Sequence, residues 1–541
     1  MYTPDLAPVA DTLWLSALVA ALPLLTIFVT LGWLRWKAHN AGIAAVVVAL
    51  VVAIAAYGMP VHLALLSASE GAVYGIFPIM WIVLGALFLH QVTVASGRFE
   101  DLRASFHVIS EDPRIQAIII AFCFGGLLEA LAGFGAPPAI TGLMLVSLGF
   151  PALRAAVVVL LANTAPVAFG AVAIPIVTAG NLTGIDYTDI GGMVGRQTPI
   201  LAAFVPLLLV ALADGKRGLK ETWPVALTVG IVFAVAQFVC SNWISVELTD
   251  IVASLVGMAT AVLMLRVWKP KGSAEAAARL LTGGEQTETT IAERAASLTG
   301  GKVAMALFPY VLVVVVFCLA KLWDPFTDFL ADRDVKFGWP GLDGHVPSSS
   351  TVYTWQWLSS PGTLLVVCAI VVALAQGLGL RRTAAELGST VYTLRFAALT
   401  VASVLCLAYV MNIAGMTTTI GTWIAGAGAA FAFLSPILGW LGTAVTGSDT
   451  SANALFSTLQ QTAAHGAGID ETLLVAANTA GGVVGKMISP QNLTIAATAV
   501  GLAGQESTIL RKVVLWSIGM LVVLCLIVGL QSTPVLGWMV K

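Results

Sequence analysis

Among the ionisable residues inside long apolar runs of this chain, three stand beside glycine- and proline-containing breaks. Glu129 lies in CFGGLLEALAGFG (Cys123 to Gly135), Asp449 in TGSDTS (Thr446 to Ser451) and Lys486 in GKMISP (Gly485 to Pro490). A charge surrounded by apolar side chains is expensive, and in membranes such residues mark substrate and ion pathways. Burial favours the protonated form of a carboxyl, so Glu129 and Asp449 are candidate proton carriers. Lys486 is a candidate counter-ion, either for a substrate carboxylate or for Asp449. Plainer roles stay open beside these: a carboxylate that caps a helix or braces a turn, and an ion pair that is purely structural.

Two polar triplets accompany them. Asn163-Thr164-Ala165 opens NTAPVAFGAVAIP and Asn478-Thr479-Ala480 opens NTAGGVVGKMISP. Their offset of 315 also superposes Gly170 on Gly485, Pro175 on Pro490, and GFGAPP (Gly133 to Pro138) on SDTSAN (Ser448 to Asn453). The chain therefore contains an internal repeat. Proline removes a backbone donor and glycine weakens a helix. Pro166 in the first copy, and Gly481 with Gly482 in the second, predict helices broken just after the triplets. Free N–H groups at the start of a half-helix carry partial positive charge and attract anions. Asn and Thr add donors without a full charge. The chemistry expected is reversible binding of a small anion, with two hairpin tips, Gly133–Pro138 and Thr446–Asn453, meeting the breaks.

The elements that must hold these residues follow from composition. Of 541 residues, 58% are hydrophobic and 10% charged, and net charge is −2; mean hydropathy is +0.94. A soluble domain carries about 25% charged residues. A soluble enzyme, a disordered chain and a nucleic-acid binder are all excluded, and no alternating ten-residue segments suggest a barrel. What remains is an all-α polytopic membrane protein. Its apolar runs supply about 12 transmembrane helices plus two re-entrant hairpins and two broken helices. Lys and Arg clusters at Arg35/Lys37, Arg98–Arg114, Lys216–Lys220, 269–301, Arg381/Arg382 and Arg511/Lys512 share the cytoplasmic side only if 115–150 and 417–467 are hairpins that return to their own side. Both termini then lie outside and the two repeats run in opposite directions, the build of an inverted-repeat secondary transporter. Residues 1–215 form the first repeat, with hairpin 115–150 and broken helix 152–180. Residues 216–301 supply linking helices and a cytoplasmic loop. Residues 302–541 form the second repeat, with outer loop 324–360, hairpin 417–467 and broken helix 470–500. The six cysteines read as small hydrophobes. No phosphate loop, nucleophile elbow or metal-ligand set is present, so no enzyme activity, metal or cofactor is expected.

The residues also resemble a family, the L-lactate permeases. The resemblance runs along nearly the whole chain and is carried by IMWIVL (Ile79 to Leu84), FCFGG (Phe122 to Gly126), AGFGAP (Ala132 to Pro137), NTAPVAFG (Asn163 to Gly170), DGKRGLKETWP (Asp214 to Pro224), TGSDTS (Thr446 to Ser451), NALF (Asn453 to Phe456), AANTAGG (Ala476 to Gly482) and GKMISPQ (Gly485 to Gln491). Ala130, Pro138 and Asn492 depart from the family's usual residues. The resemblance implies proton-coupled symport of L-lactate and related 2-hydroxymonocarboxylates such as glycolate in a bacterial-type plasma membrane. The expected partners are that small anion, a proton and the lipid bilayer, without nucleic acid; a homodimer is compatible with the sequence. The expected substrate site comprises Asn163, Thr164, Ser451, Asn453, Asn478, Thr479, Lys486 and Gln491, with Glu129 and Asp449 for the proton. An amide, Thr450 or Ser451 is expected to bond the 2-hydroxyl. A sodium-coupled organic anion carrier and a passive anion channel are the alternatives.

Overall fold

Backbone in a bilayer has no water to bond to, so long runs of Ala, Val, Leu and Ile satisfy themselves as helix. The computed structural model describes residues 1–131, 133, 135–281, 298–346 and 351–540. Phe134 of the first expected tip, Ala132 just before it, and Arg294 of the expected cytoplasmic loop lie outside the described residues. Ten helices among the described residues are long and apolar enough to cross a membrane. The one sheet among them is a two-stranded antiparallel ribbon in the expected outer loop, β1 (Val335–Gly338) with β2 (Val352–Trp355). It rests on α1 (Val61–Tyr74), where Trp339 Nε1 donates to Ser69 Oγ at 3.1 Å.

The elements that build the site come in two sets. In the first, α2 (Pro113–Leu131) turns through Gly133 and Gly135, at φ +52° and +86°, and returns as α3 (Ala136–Ser147). The next helix is interrupted: α4 (Ala152–Ala162) ends at Asn163, and α5 begins at Gly170 (Gly170–Thr183). Two linking helices follow, α6 (Val205–Trp243), which swivels at Gly215, and α7 (Thr249–Val267). In the second set, α8 (Phe431–Thr446) turns through Gly447 at φ +79° into α9 (Asp449–Ala467), which Ser448 caps by accepting from Ser451 N at 3.3 Å. Glycine is the residue that takes such left-handed backbone without steric cost. Then come α10 (Glu471–Gly485), a 3-10 turn at Lys486–Ile488, and α11 (Pro490–Ala499). The offset of 315 carries α2 onto the span Gly428–Thr446 at both ends.

Two expectations need correction. The second hairpin does not start at 417: Met416–Ala425 is a separate helix, and Gly428 at φ +58° turns the chain into α8. The second helix also does not break at Gly481–Gly482. It runs unbroken through Asn478, Thr479 and both glycines and breaks at Lys486–Ser489. The glycines have a different cause. A Cβ on Gly481 would stand 1.9 Å from Pro436 O, one on Gly485 2.4 Å from Trp440 O, and one on Gly439 1.8 Å from Asn478 O. They let α8 and α10 pack backbone to backbone. The break the two repeats share is set by the matched prolines. Pro490 opens α11, and in the first repeat the irregular backbone ends with Ala171, Val172 and Ala173, all at positive φ, just before Pro175. Left-handed alanine and valine cost about 1–2 kcal/mol each, strain of the kind held at functional sites.

Charges assigned to the cytoplasmic side come together. Arg114, fully buried at the foot of α2, donates Nη2 to Asp112 Oδ2 at 2.7 Å and Nη1 to Glu221 Oε2 at 2.5 Å, and also reaches Lys271 O at 2.9 Å. Arg279 grips Asp214 at 2.6 Å. The residues assigned outside also meet: Tyr2 N donates to His345 O at 2.8 Å, and Arg196 Nη1 to Met539 O at 2.8 Å.

Candidate functional site

Glu129 sits near the end of α2 because the chain must turn back just after it, and this places a carboxyl at the first tip. Its Oε1 accepts from Lys486 Nζ, which the second break carries, and both side chains are buried, at 3% and 8% exposure. The pair thus ties the first hairpin to the second repeat. Gly170, at the end of the first break, lies so close that a Cβ there would be 2.8 Å from Glu129 Oε1. Gly133 of the first tip packs on Ala171 in the same place. Glu129 Oε2 is buried with no partner. A carboxylate oxygen left without a donor is a place for a proton.

Asp449 opens α9 at the second tip. Its Oδ1 accepts from Thr443 Oγ1 at 3.4 Å and lies against Gly482, while Oδ2 is buried without a partner. The charges of Lys486 and Glu129 both act on it. Asn492 stitches the second break to this tip, donating to Gly447 O and Lys486 O, each at 3.3 Å. Gly135 of the first tip packs on Ile495 of α11. Both tips therefore converge on the second break.

The polar triplets divide. In the second, Asn478 Nδ2 donates to Asn453 Oδ1 at 2.8 Å, Thr479 Oγ1 to the same oxygen at 3.1 Å, and Asn453 Nδ2 to Pro175 O at 3.0 Å. Gln460 Nε2 donates to Asn478 Oδ1 at 3.3 Å. These groups bond to one another and tie α9 and α10 to α5 of the first repeat. In the first triplet, Thr164 Oγ1 donates to Leu161 O at 2.7 Å, while Asn163 Oδ1 is buried and unpartnered. Ser451 is buried in the first turn of α9; Gln491 is exposed beside Gly447.

The structure thus brings Glu129, Asp449, Lys486 and both tips together, with the first break alongside. It sets Asn453, Asn478 and Thr479 in a bracing network two turns before the second break. The partner of Lys486 is Glu129, not Asp449. Sequence reasoning missed Asn492, and it missed the pair Asp250 and Gln237. Gln237 Nε2 donates to Asp250 Oδ1 at 2.7 Å and to Ala165 O of the first break at 3.2 Å. The signal was present: Asp250 is an acid inside an apolar run, the same feature that singles out Glu129.

Comparison with known proteins matches residues 16–535 to the family described as L-lactate permease. The chain is 42% identical to the glycolate permease GlcA of Escherichia coli K12, over 98% of both chains. It is 40% identical to the L-lactate permease of Bacillus subtilis 168 over 100% of both, and 41% identical to the L-lactate permease of E. coli K12 over 98% of both. Among solved structures, the YdaH transporter of Alcanivorax borkumensis is similar at a TM-score of 0.41 and 16% identity, over 83% of this chain and 84% of that one, a likeness too loose to bear on the site.

Proposed function

Because the chain belongs to the L-lactate permease family, a family of multi-pass bacterial membrane transporters and not of enzymes, we propose that it carries L-lactate and related 2-hydroxymonocarboxylates such as glycolate, each with one proton. The observation that carries this reading is the buried Glu129–Lys486 pair between the first tip and the second break. Lys486 is a cation with one anionic partner, in surroundings that tolerate no net charge. A substrate carboxylate that takes Lys486 displaces Glu129. The freed Glu129 then faces the cost of an unpaired buried carboxylate, several kcal/mol, and avoids it by taking a proton. One anion entering therefore requires one proton, and the site stays neutral through the exchange. Asp449, with an unpartnered oxygen in the same cluster, is the second carboxyl available to the cycle. The substrate 2-hydroxyl is placed towards Thr450 and Ser451 at the second tip, and Asn163 Oδ1 is a free acceptor on the first break. With the repeats inverted, the tips approach from opposite faces, as alternating access requires.

Uptake of labelled lactate into proteoliposomes tests the proposal. An imposed inward proton gradient is expected to drive accumulation, and glycolate is expected to compete. Uptake indifferent to the gradient overturns proton coupling. The sodium-coupled alternative draws on the unpartnered oxygens of Asn163 and Asp449, which suit a hard cation; replacing sodium by choline stops uptake only under that reading.

A further inference from the structure

We propose that Asp250 is a proton-loading station that supplies Glu129 from the outer face. The inference rests on the proton-coupled reading above and adds a route to it. Asp250 is fully buried in the first turn of α7. Its Oδ1 accepts from Gln237 on α6, but its Oδ2 has no partner, and neither does Gln237 Oε1. One turn further along α7, on the same face, Ser254 Oγ is also buried and unpartnered. That hydroxyl lies against Gly126 of α2, where a Cβ would stand 2.6 Å from it. Gly126 and Glu129 are three residues apart on one helix face, so Ser254 lies one turn from Glu129, whose Oε2 is the next unpartnered oxygen. The charge of Glu129 acts on Asp250.

In the other direction the series continues to Glu247 before the start of α7, a carboxyl that is itself buried. Glu247, one turn before Asp250, accepts from Tyr187 Oη at 2.9 Å and from Ser245 Oγ at 2.8 Å. The segment joining α6 to α7 is outside in the charge-derived topology. Glu247, Asp250 and Ser254 therefore step inward from the outer face to Glu129. The titratable groups nearest Asp250 are Glu129 on α2 and Cys240 on α6, while Cys123 of α2 lies two turns further along α7, against Gly257, and no cationic side chain pairs with Asp250 among the described residues. Phe122 and Phe233 pack together beside the series, with ring centroids 4.7 Å apart, and keep it narrow. Buried oxygens lacking donors in sequence are what a proton and one or two bridging waters satisfy.

The step balances. When a substrate carboxylate takes Lys486, the O–H bond at Asp250 Oδ2 breaks and one forms at Glu129 Oε2, with the Ser254 hydroxyl accepting one proton and releasing another. Asp250 is left as a carboxylate held by the Gln237 amide. It refills from the outer face through the Glu247 segment.

The test compares two modes of transport in proteoliposomes. Counterflow, which exchanges labelled for unlabelled lactate, needs no net proton entry; uptake driven by a proton gradient does. Asp250→Asn is expected to keep counterflow within about twofold and to lose gradient-driven uptake by about 100-fold, the scale of a lost proton-transfer group. Asp250→Glu is expected to restore much of it. In addition, infrared difference spectra on adding lactate should contain a protonated-carboxyl band that Asp250→Asn removes. If Asp250→Asn accumulates lactate as the parent protein does, the assignment is overturned. If it abolishes counterflow as well, and Asp250→Glu does not rescue gradient-driven uptake, Asp250 is structural and the assignment is again overturned. If the parent protein ignores the proton gradient, the underlying coupling fails instead, and that result is visible before any variant is made.

Discussion

Replacing Lys486 with methionine leaves Glu129 in place, buried and facing a thioether where an ammonium group stood. The side chains are 8% and 3% exposed, so little solvent enters to compensate. Two unit charges about 4 Å apart attract by about 4 kcal/mol at an effective dielectric of 20, and breaking one side of a buried pair costs about 3–5 kcal/mol. Lys486→Met is therefore expected to lower the melting midpoint of the detergent-solubilised protein by several degrees, with a loss close to that size. Glu129→Gln strands the ammonium and should cost a similar amount. The double variant removes both charges at once and should recover most of the loss, giving a coupling energy of about 2–3 kcal/mol. The assay is thermal unfolding followed by tryptophan fluorescence, with size exclusion to confirm that each variant is monodisperse. The reasoning is refuted if the two single losses simply add in the double variant, or if Lys486→Met melts with the parent protein.

Other sites give sharper steric and hydrogen-bonding outcomes. Gly481→Ala forces a methyl to within 1.9 Å of Pro436 O, a backbone atom that cannot yield, so α8 and α10 should separate and uptake should collapse; Gly519→Ala, with nothing within 4 Å, should melt and transport like the parent. Asn453→Ala takes the shared acceptor from Asn478 Nδ2 and Thr479 Oγ1, leaving Asn478 Nδ2 only Ala452 O at 3.3 Å, and removes a donor from Pro175 O; at about 1–3 kcal/mol for a buried polar group left unpaired, thermal unfolding should show a loss of that order. Asp250→Asn is expected to separate exchange from gradient-driven uptake, measured side by side in the same proteoliposomes.

Much of the architecture is legible in the order of residues, for physical reasons. Apolar runs report spans because hydrocarbon permits little else. The offset between Asn163 and Asn478 reports a repeat in which the first arms of the two hairpins coincide at both ends. Gly481 and Gly482 show where legibility stops. A glycine inside a helix weakens it in isolation, yet here the missing Cβ is what lets α10 touch α8, and only the neighbour's position decides between breaking and packing. Proline was the better signal, since Pro490 cannot continue the hydrogen-bond ladder and starts the next half-helix. Glu129 and Lys486 both stand out as charges in apolar runs, but they lie 357 residues apart, and nothing local says that they meet. Asp449 was the nearer candidate in sequence, and the fold instead sets it against Gly482 and Thr443. Asp250 satisfies the same criterion as Glu129. Its surroundings, an amide from α6 and a hydroxyl facing α2, exist only once three helices pack.

The central claim is that Lys486 exchanges the carboxylate of Glu129 for that of the substrate, and that Glu129 then takes up a proton. Titration calorimetry of lactate into the purified protein, repeated in buffers of different ionisation enthalpy, counts the protons bound with each lactate. The account predicts about one proton taken up per lactate by the parent protein and none by Glu129→Gln, which should still bind lactate through Lys486. Binding without proton uptake in the parent protein, or undiminished uptake in Glu129→Gln, would contradict it.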